Sequence, residues 1–106
     1  MLYKYGYMGY TFFGGDDIMP VISSFYGIVI RMYFKDNEKH HSPHFHAIYS
    51  GASASFDLDG NIIAGVFPPK QTKYVVAWAD IHKDELAALW NVMQTDEEYF
   101  KIKGLE

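Results

Sequence analysis

Cysteine is absent from the 106 residues, which excludes a disulfide scaffold, a cysteine-based zinc ribbon and a thiol nucleophile. Such a chain suits a reducing compartment, and the cytoplasm is its expected location. Basic residues are few: nine Lys and Arg stand against thirteen Asp and Glu, a formal charge of −4. With no overall positive field, nucleic acid is disfavoured as a partner unless a local basic patch attracts it. No apolar run reaches the roughly 18 to 20 residues that cross a bilayer, and the first residues lack the basic-then-apolar pattern of a signal peptide. No membrane partner is therefore expected. Internal repeats and low-complexity linkers are also lacking.

Aromatic residues, by contrast, are plentiful, with nine Tyr, eight Phe and two Trp in an apolar content of 49%. That is ample for one compact core and leaves no room for a second domain. Residues 1–18, with Tyr3, Tyr5 and Tyr7 alternating ahead of Gly14-Gly15-Asp16-Asp17, read as an aromatic extension that either docks on a sheet edge of its own or a partner subunit or is disordered, with docking favoured because exposed aromatics cost solubility. Residues 19–106 read as a single α+β domain. Within it, 25–34 is β-branched and aromatic and predicts one strand, with Ile28, Ile30 and Met32 on one face and Val29, Arg31 and Tyr33 on the other.

Further strands are expected over 44–50, 53–58 and 61–67, joined by Ser50-Gly51-Ala52 and Asp59-Gly60 turns into an antiparallel meander of about four strands. Pro68-Pro69 ends the sheet and Pro69 suits a first helical turn. Over 70–95, Val75, Trp78, His82, Leu86, Leu89 and Met93 recur at three and four, with Ala79 and Trp90 beside them. This predicts a C-terminal helical layer on one face of the sheet, as one kinked helix or as two consecutive helices broken near 80–84. The tail around Phe100 and Ile102 is expected to run extended and to pair as an edge strand.

Four of the five histidines fall in Lys39-His40-His41-Ser42-Pro43-His44-Phe45-His46. Pro43 biases the chain towards an extended entry to His44, so His44 and His46 share one strand face while Phe45 and Ala47 turn to the core. Same-face neighbours lie roughly 6.5 to 7 Å apart, within reach of one metal ion, phosphate or carboxylate. Two imidazoles are an incomplete zinc set, so no cofactor is expected, with a divalent metal such as zinc at His44 and His46 as the alternative. The commoner fate of such imidazoles is partial exposure with hydrogen bonds to backbone and neighbouring side chains. His82 sits in the helical stripe and is more often a structural residue than a catalytic one.

The succession Met19-Pro20-Val21-Ile22, Gly27-Ile28-Val29-Ile30, His40 with Pro43-His44-Phe45-His46, Trp78, His82-Lys83-Asp84-Glu85-Leu86, Trp90 and Phe100-Lys101-Ile102 resembles the domain of unknown function 4160 family of small prokaryotic proteins. The resemblance spans roughly residues 19 to 103. Ser42 stands where that family often has proline, and residues 1–18 precede its usual Met-Pro start. The resemblance implies no catalytic mechanism. It implies a gene neighbour of similar size, in the manner of a toxin–antitoxin pair, and it carries His40, His44, His46 and His82 as motif positions.

Two kinds of function follow as expectations. One is a small regulatory or toxin-like protein that works by binding a small partner protein or a second copy of itself at the histidine-rich site, with Arg31, Lys39, His41 and Asp36 as further contact residues. The other is a histidine-based hydrolase, most plausibly a ribonuclease, in which His44, His46, His40 and His82 divide general acid and base roles. A variant of the second is a divalent-metal site.

Overall fold

A computed structural model describes residues 19–34, 42–95 and 98–106 of the chain. Five strands, β1 (Val21–Phe25), β2 (Ile28–Arg31), β3 (His44–Tyr49), β4 (Ala52–Asp57) and β5 (Ile62–Val66), form an antiparallel meander in the spatial order β1-β2-β3-β4-β5. Two consecutive helices, α1 (Pro69–Ile81) and α2 (Lys83–Gln94), follow. The α+β class expected from the sequence is thus the one observed, with five strands in place of about four. The additional strand arises because 25–34 is not continuous. Tyr26 and Gly27 take φ of 51° and 79°, the two positive values of a tight hairpin turn, and split the run into the end of β1 and the whole of β2. Ser50 and Gly51, at φ 47° and 86°, repeat the device between β3 and β4.

The alternation read in β2 holds. Ile28, Ile30 and Met32 are fully buried while Val29, Arg31 and Tyr33 are half-buried. On β3 and β4 the core face carries Phe45, Ala47, Ala54 and Phe56. Phe45 and Phe56, directly opposite each other, stack with centroids 5.5 Å apart and planes 3° from parallel. Trp78 of α1 meets Phe45 edge-on at 5.5 Å and Phe25 at 5.3 Å. Val75, Trp78 and Ala79 of α1 and Leu86, Leu89, Trp90 and Met93 of α2 join the same buried cluster. Each large apolar side chain taken from water there contributes about 1.5 to 3 kcal/mol.

The break between the helices falls at His82, whose N–H donates to Trp78 O (3.0 Å) and whose carbonyl accepts from Leu86 N–H (2.9 Å). Its φ of −109° and ψ of 25° depart from helical values, so it closes α1 and opens α2 instead of lying mid-helix. Among the described residues no helix is long and apolar enough to cross a membrane.

The two sheet edges differ. Along β1, Ile102 N–H donates to Ile22 O at 2.7 Å, and Trp78 Nε1 fixes the same tail through Lys103 O at 2.9 Å. Ile102 is buried, whereas Phe100, two residues earlier, is 39% exposed. Every residue of β5 is exposed.

Candidate functional site

His44 opens β3, and His46 lies two residues on, so strand alternation sets both rings on the face away from Phe45 and Ala47. They meet with centroids 5.2 Å apart and planes at 77°. The expected sharing of one face is therefore present, yet the two rings have unlike surroundings. His44 is 5% exposed, against the Trp90 ring of α2 at 5.3 Å. Its Nδ1 lies 2.7 Å from Ser42 O. A carbonyl only accepts, so Nδ1 carries the hydrogen and the neutral ring keeps its acceptor lone pair on Nε2. The partial exposure expected for both imidazoles holds for His46 and not for His44, because Trp90 covers the end of the strand.

His46 is half-buried between two neighbouring strands. On one side its register partner is Arg31 of β2, whose Nη1 donates to Met19 O at 2.8 Å. On the other is Ser55 of β4, whose Oγ shares a 3.1 Å hydrogen bond with His46 Nδ1, its direction set by the imidazole tautomer. The Tyr33 ring stands edge-on to His46 at 5.0 Å. The same face continues through Val29, Ile48 and Ser53, and none of these six strand residues, from Val29 and Arg31 to His46, Ile48, Ser53 and Ser55, is buried.

Asp57 faces His44 in register but its carboxylate is committed elsewhere. It accepts from Asp59 N–H and Asn61 N–H, both at 2.9 Å, and from Asn61 Nδ2 at 3.1 Å. Slight burial pushes its pKa up, and the donors from Asn61, Asp59 and Gly60 together outweigh this and hold it below the ordinary carboxylate value. Asp57 is thus the organiser of the β4–β5 turn.

His82 is not part of this cluster. It pairs with Glu85 one turn along α2 and packs on Trp78 at 5.9 Å, whereas His44 packs on Trp90. Among the described residues no group of three or more His, Asp or Glu is arranged to hold a metal ion; His44 and His46 supply two imidazoles of the three or more ligands that zinc takes. Asp36, Lys39, His40 and His41, and the extension 1–18, lie outside the described residues.

Ser55 joins the site unnamed by the sequence, and Tyr33 and Trp90, read there as strand-face and helical-stripe residues, join it without having been named as site residues. Ser55 was within reach: a two-residue turn at Ser50-Gly51 fixes the pairing of β3 with β4, and counting back from it sets His46 opposite Ser55. Chemically the arrangement offers a guanidinium, two imidazoles and a hydroxyl on one sheet face. That donor set suits a carboxylate or phosphate oxygen.

Residues 27–91, more than half of the chain, match the family model described as Domain of unknown function (DUF4160). No curated protein and no solved structure matches the chain.

Proposed function

Since the chain belongs to the DUF4160 family, whose description carries no activity, we propose from its own geometry that it is a small regulatory protein that works by binding a protein partner. The partner is the product of an adjacent gene, in a toxin–antitoxin type of pair, and it is held at the Arg31, His46 and Ser55 face. The observation that carries this reading is the side-by-side placement of Arg31, His46 and Ser55 on a face whose strand residues are not buried. A carboxylate on the partner would take charge-assisted hydrogen bonds from the Arg31 guanidinium and a further one from the Ser55 hydroxyl, which His46 Nδ1 holds in place. Tyr33 and Ile48 supply apolar contact beside it. The cysteine-free composition suits the cytoplasm, where such a pair would meet.

Calorimetric titration with the adjacent gene product tests the reading. Wild type binds, Arg31→Ala weakens binding by about 10- to 100-fold, the effect of losing one charge-assisted hydrogen bond, and His46→Ala weakens it by less, through the loosened Ser55 hydroxyl. Absence of binding by wild type, or wild-type affinity in both variants, rejects it.

A second reading, a histidine-based hydrolase acting on RNA, is favoured by the 3.1 Å contact between Ser55 Oγ and His46 Nδ1, a hydroxyl within reach of a base. Equal RNA cleavage by wild type and His46→Ala would remove it.

A further inference from the structure

Of the two outer strands only one is left open among the described residues. The C-terminal tail covers β1 through Ile102 and Lys103, while β5 has β4 on one side only and turns its other backbone edge outwards, with a register shift against β4 near Ile62 and a φ of 85° at Gly65. Its side chains are apolar, with Ile62 41%, Ile63 53% and Val66 82% exposed. No Lys, Glu or Pro lies within Ile62–Val66; the irregularity against β4 is the one edge-blunting feature the strand carries. The charges at its ends are opposite in sign: Asp57, held in its turn, and Asp59, which also pairs with Lys83, lie before the strand, and exposed Lys70 and Lys73 follow it at the start of α1.

We propose that β5 is the dimerisation edge of this protein, pairing antiparallel with β5 of a second copy about a two-fold axis at Ala64. An antiparallel pair of identical strands is self-complementary, as a two-fold interface requires. Centred on Ala64, it sets Ile62 of each copy against Val66 of the other. It also brings the acidic turn of each beside the Lys70 end of its mate, whereas a parallel pair would oppose like charges. A foreign strand would need its own matching charge pattern; a second copy already has it. The two sheets become one, and the two His46 residues lie five strand spacings apart, about 24 Å, so that the dimer presents two copies of the binding face. The pairing stands independently of what that face binds.

Three apolar side chains and one short strand per copy fall short of a standard interface, so a micromolar dissociation constant is expected. Sedimentation of the full chain from about 1 to about 100 µM should show a monomer passing to a dimer. Val66→Lys should remain monomeric at every concentration with an unchanged circular dichroism spectrum, because residue 66 is exposed. In a chain without cysteine, Ala64→Cys should give a disulfide-linked dimer on mild oxidation, and Ile81→Cys, 65% exposed in the native side chain at the end of α1, should not. A wild type that stays monomeric, a dimer that survives Val66→Lys, or equal cross-linking at 64 and 81 overturns the proposal.

Discussion

The outer strands β1 and β5 belong to one sheet and are both five residues long, yet the chain treats them in opposite ways. β1 is closed by its own C-terminus: a backbone hydrogen bond at Ile102, the indole N–H of Trp78 on Lys103, and the close approach of Gly104 to Ser24. Among the described residues nothing covers β5, and three of its large apolar side chains are exposed. The difference teaches that burial on β1 serves monomer stability, whereas the side chains of β5 add almost nothing to it. Mutations of matching chemistry on the two edges should therefore give unlike results.

The largest contrast is expected from isoleucine truncation. Ile102→Ala, at a side chain 3% exposed, should cost about 2 to 5 kcal/mol in urea unfolding. Ile63→Ala should fall within about 0.5 kcal/mol when measured on the dilute monomer. Similar losses at both sites would erase the distinction between the edges. Next come two glycines, one at each edge, where an added Cβ would meet backbone. A Cβ on Gly104 would sit 2.5 Å from Ser24 O and 3.1 Å from Phe25 Cβ, and one on Gly65 would sit 2.6 Å from Ser53 O at a φ of +85°. Gly104→Ala should lower stability by about 1 to 3 kcal/mol through crowding. Gly65→Ala should lose a similar amount through strain on the side of β5 that is paired to β4. A neutral Gly65→Ala would mean that β5 separates from β4 at little cost.

How much of this was legible in the sequence follows from how local each signal is. The first-turn Pro69 and the β3–β4 hairpin depend on residues adjacent in the chain and could be read directly, and the helix break could be placed near 80–84 as one of two alternatives. Tyr26-Gly27 misled because Tyr is a good strand residue and its positive φ is tolerated only within the tight turn that the following glycine completes. The shared face of His44 and His46 follows from strand period alone. Burial of His44 does not, since it depends on Trp90, which arrives from 46 positions further along the chain at 5.3 Å. Arg31 was nameable as a candidate, but its place beside His46 rests on a β2–β3 register that no short turn fixes.

The smallest expected effect concerns the turn that leads into the open edge. Asp57 holds it through three hydrogen bonds to its carboxylate, and these keep its pKa below the ordinary value despite slight burial that acts the other way. For a carboxylate whose folded pKa is lowered, the stabilisation is fully present above the unfolded value, about 3.9, and is lost as pH falls through the folded one. Asp57→Asn cannot titrate, though its amide oxygen can still accept from the Asp59 and Asn61 N–H groups. Wild type should therefore exceed Asp57→Asn in stability near neutral pH by on the order of 0.5 kcal/mol after solvent screening, with the gap closing below pH about 4. The tail over β1 carries only the exposed Lys103–Glu106 pair at 2.9 Å, and among the described residues no carboxylate there accepts from backbone N–H groups as Asp57 does, so hydrogen exchange at low pH should loosen the Asn61 amide before the Ile102 amide. The reverse order would place the acid-sensitive point of the sheet at its covered edge.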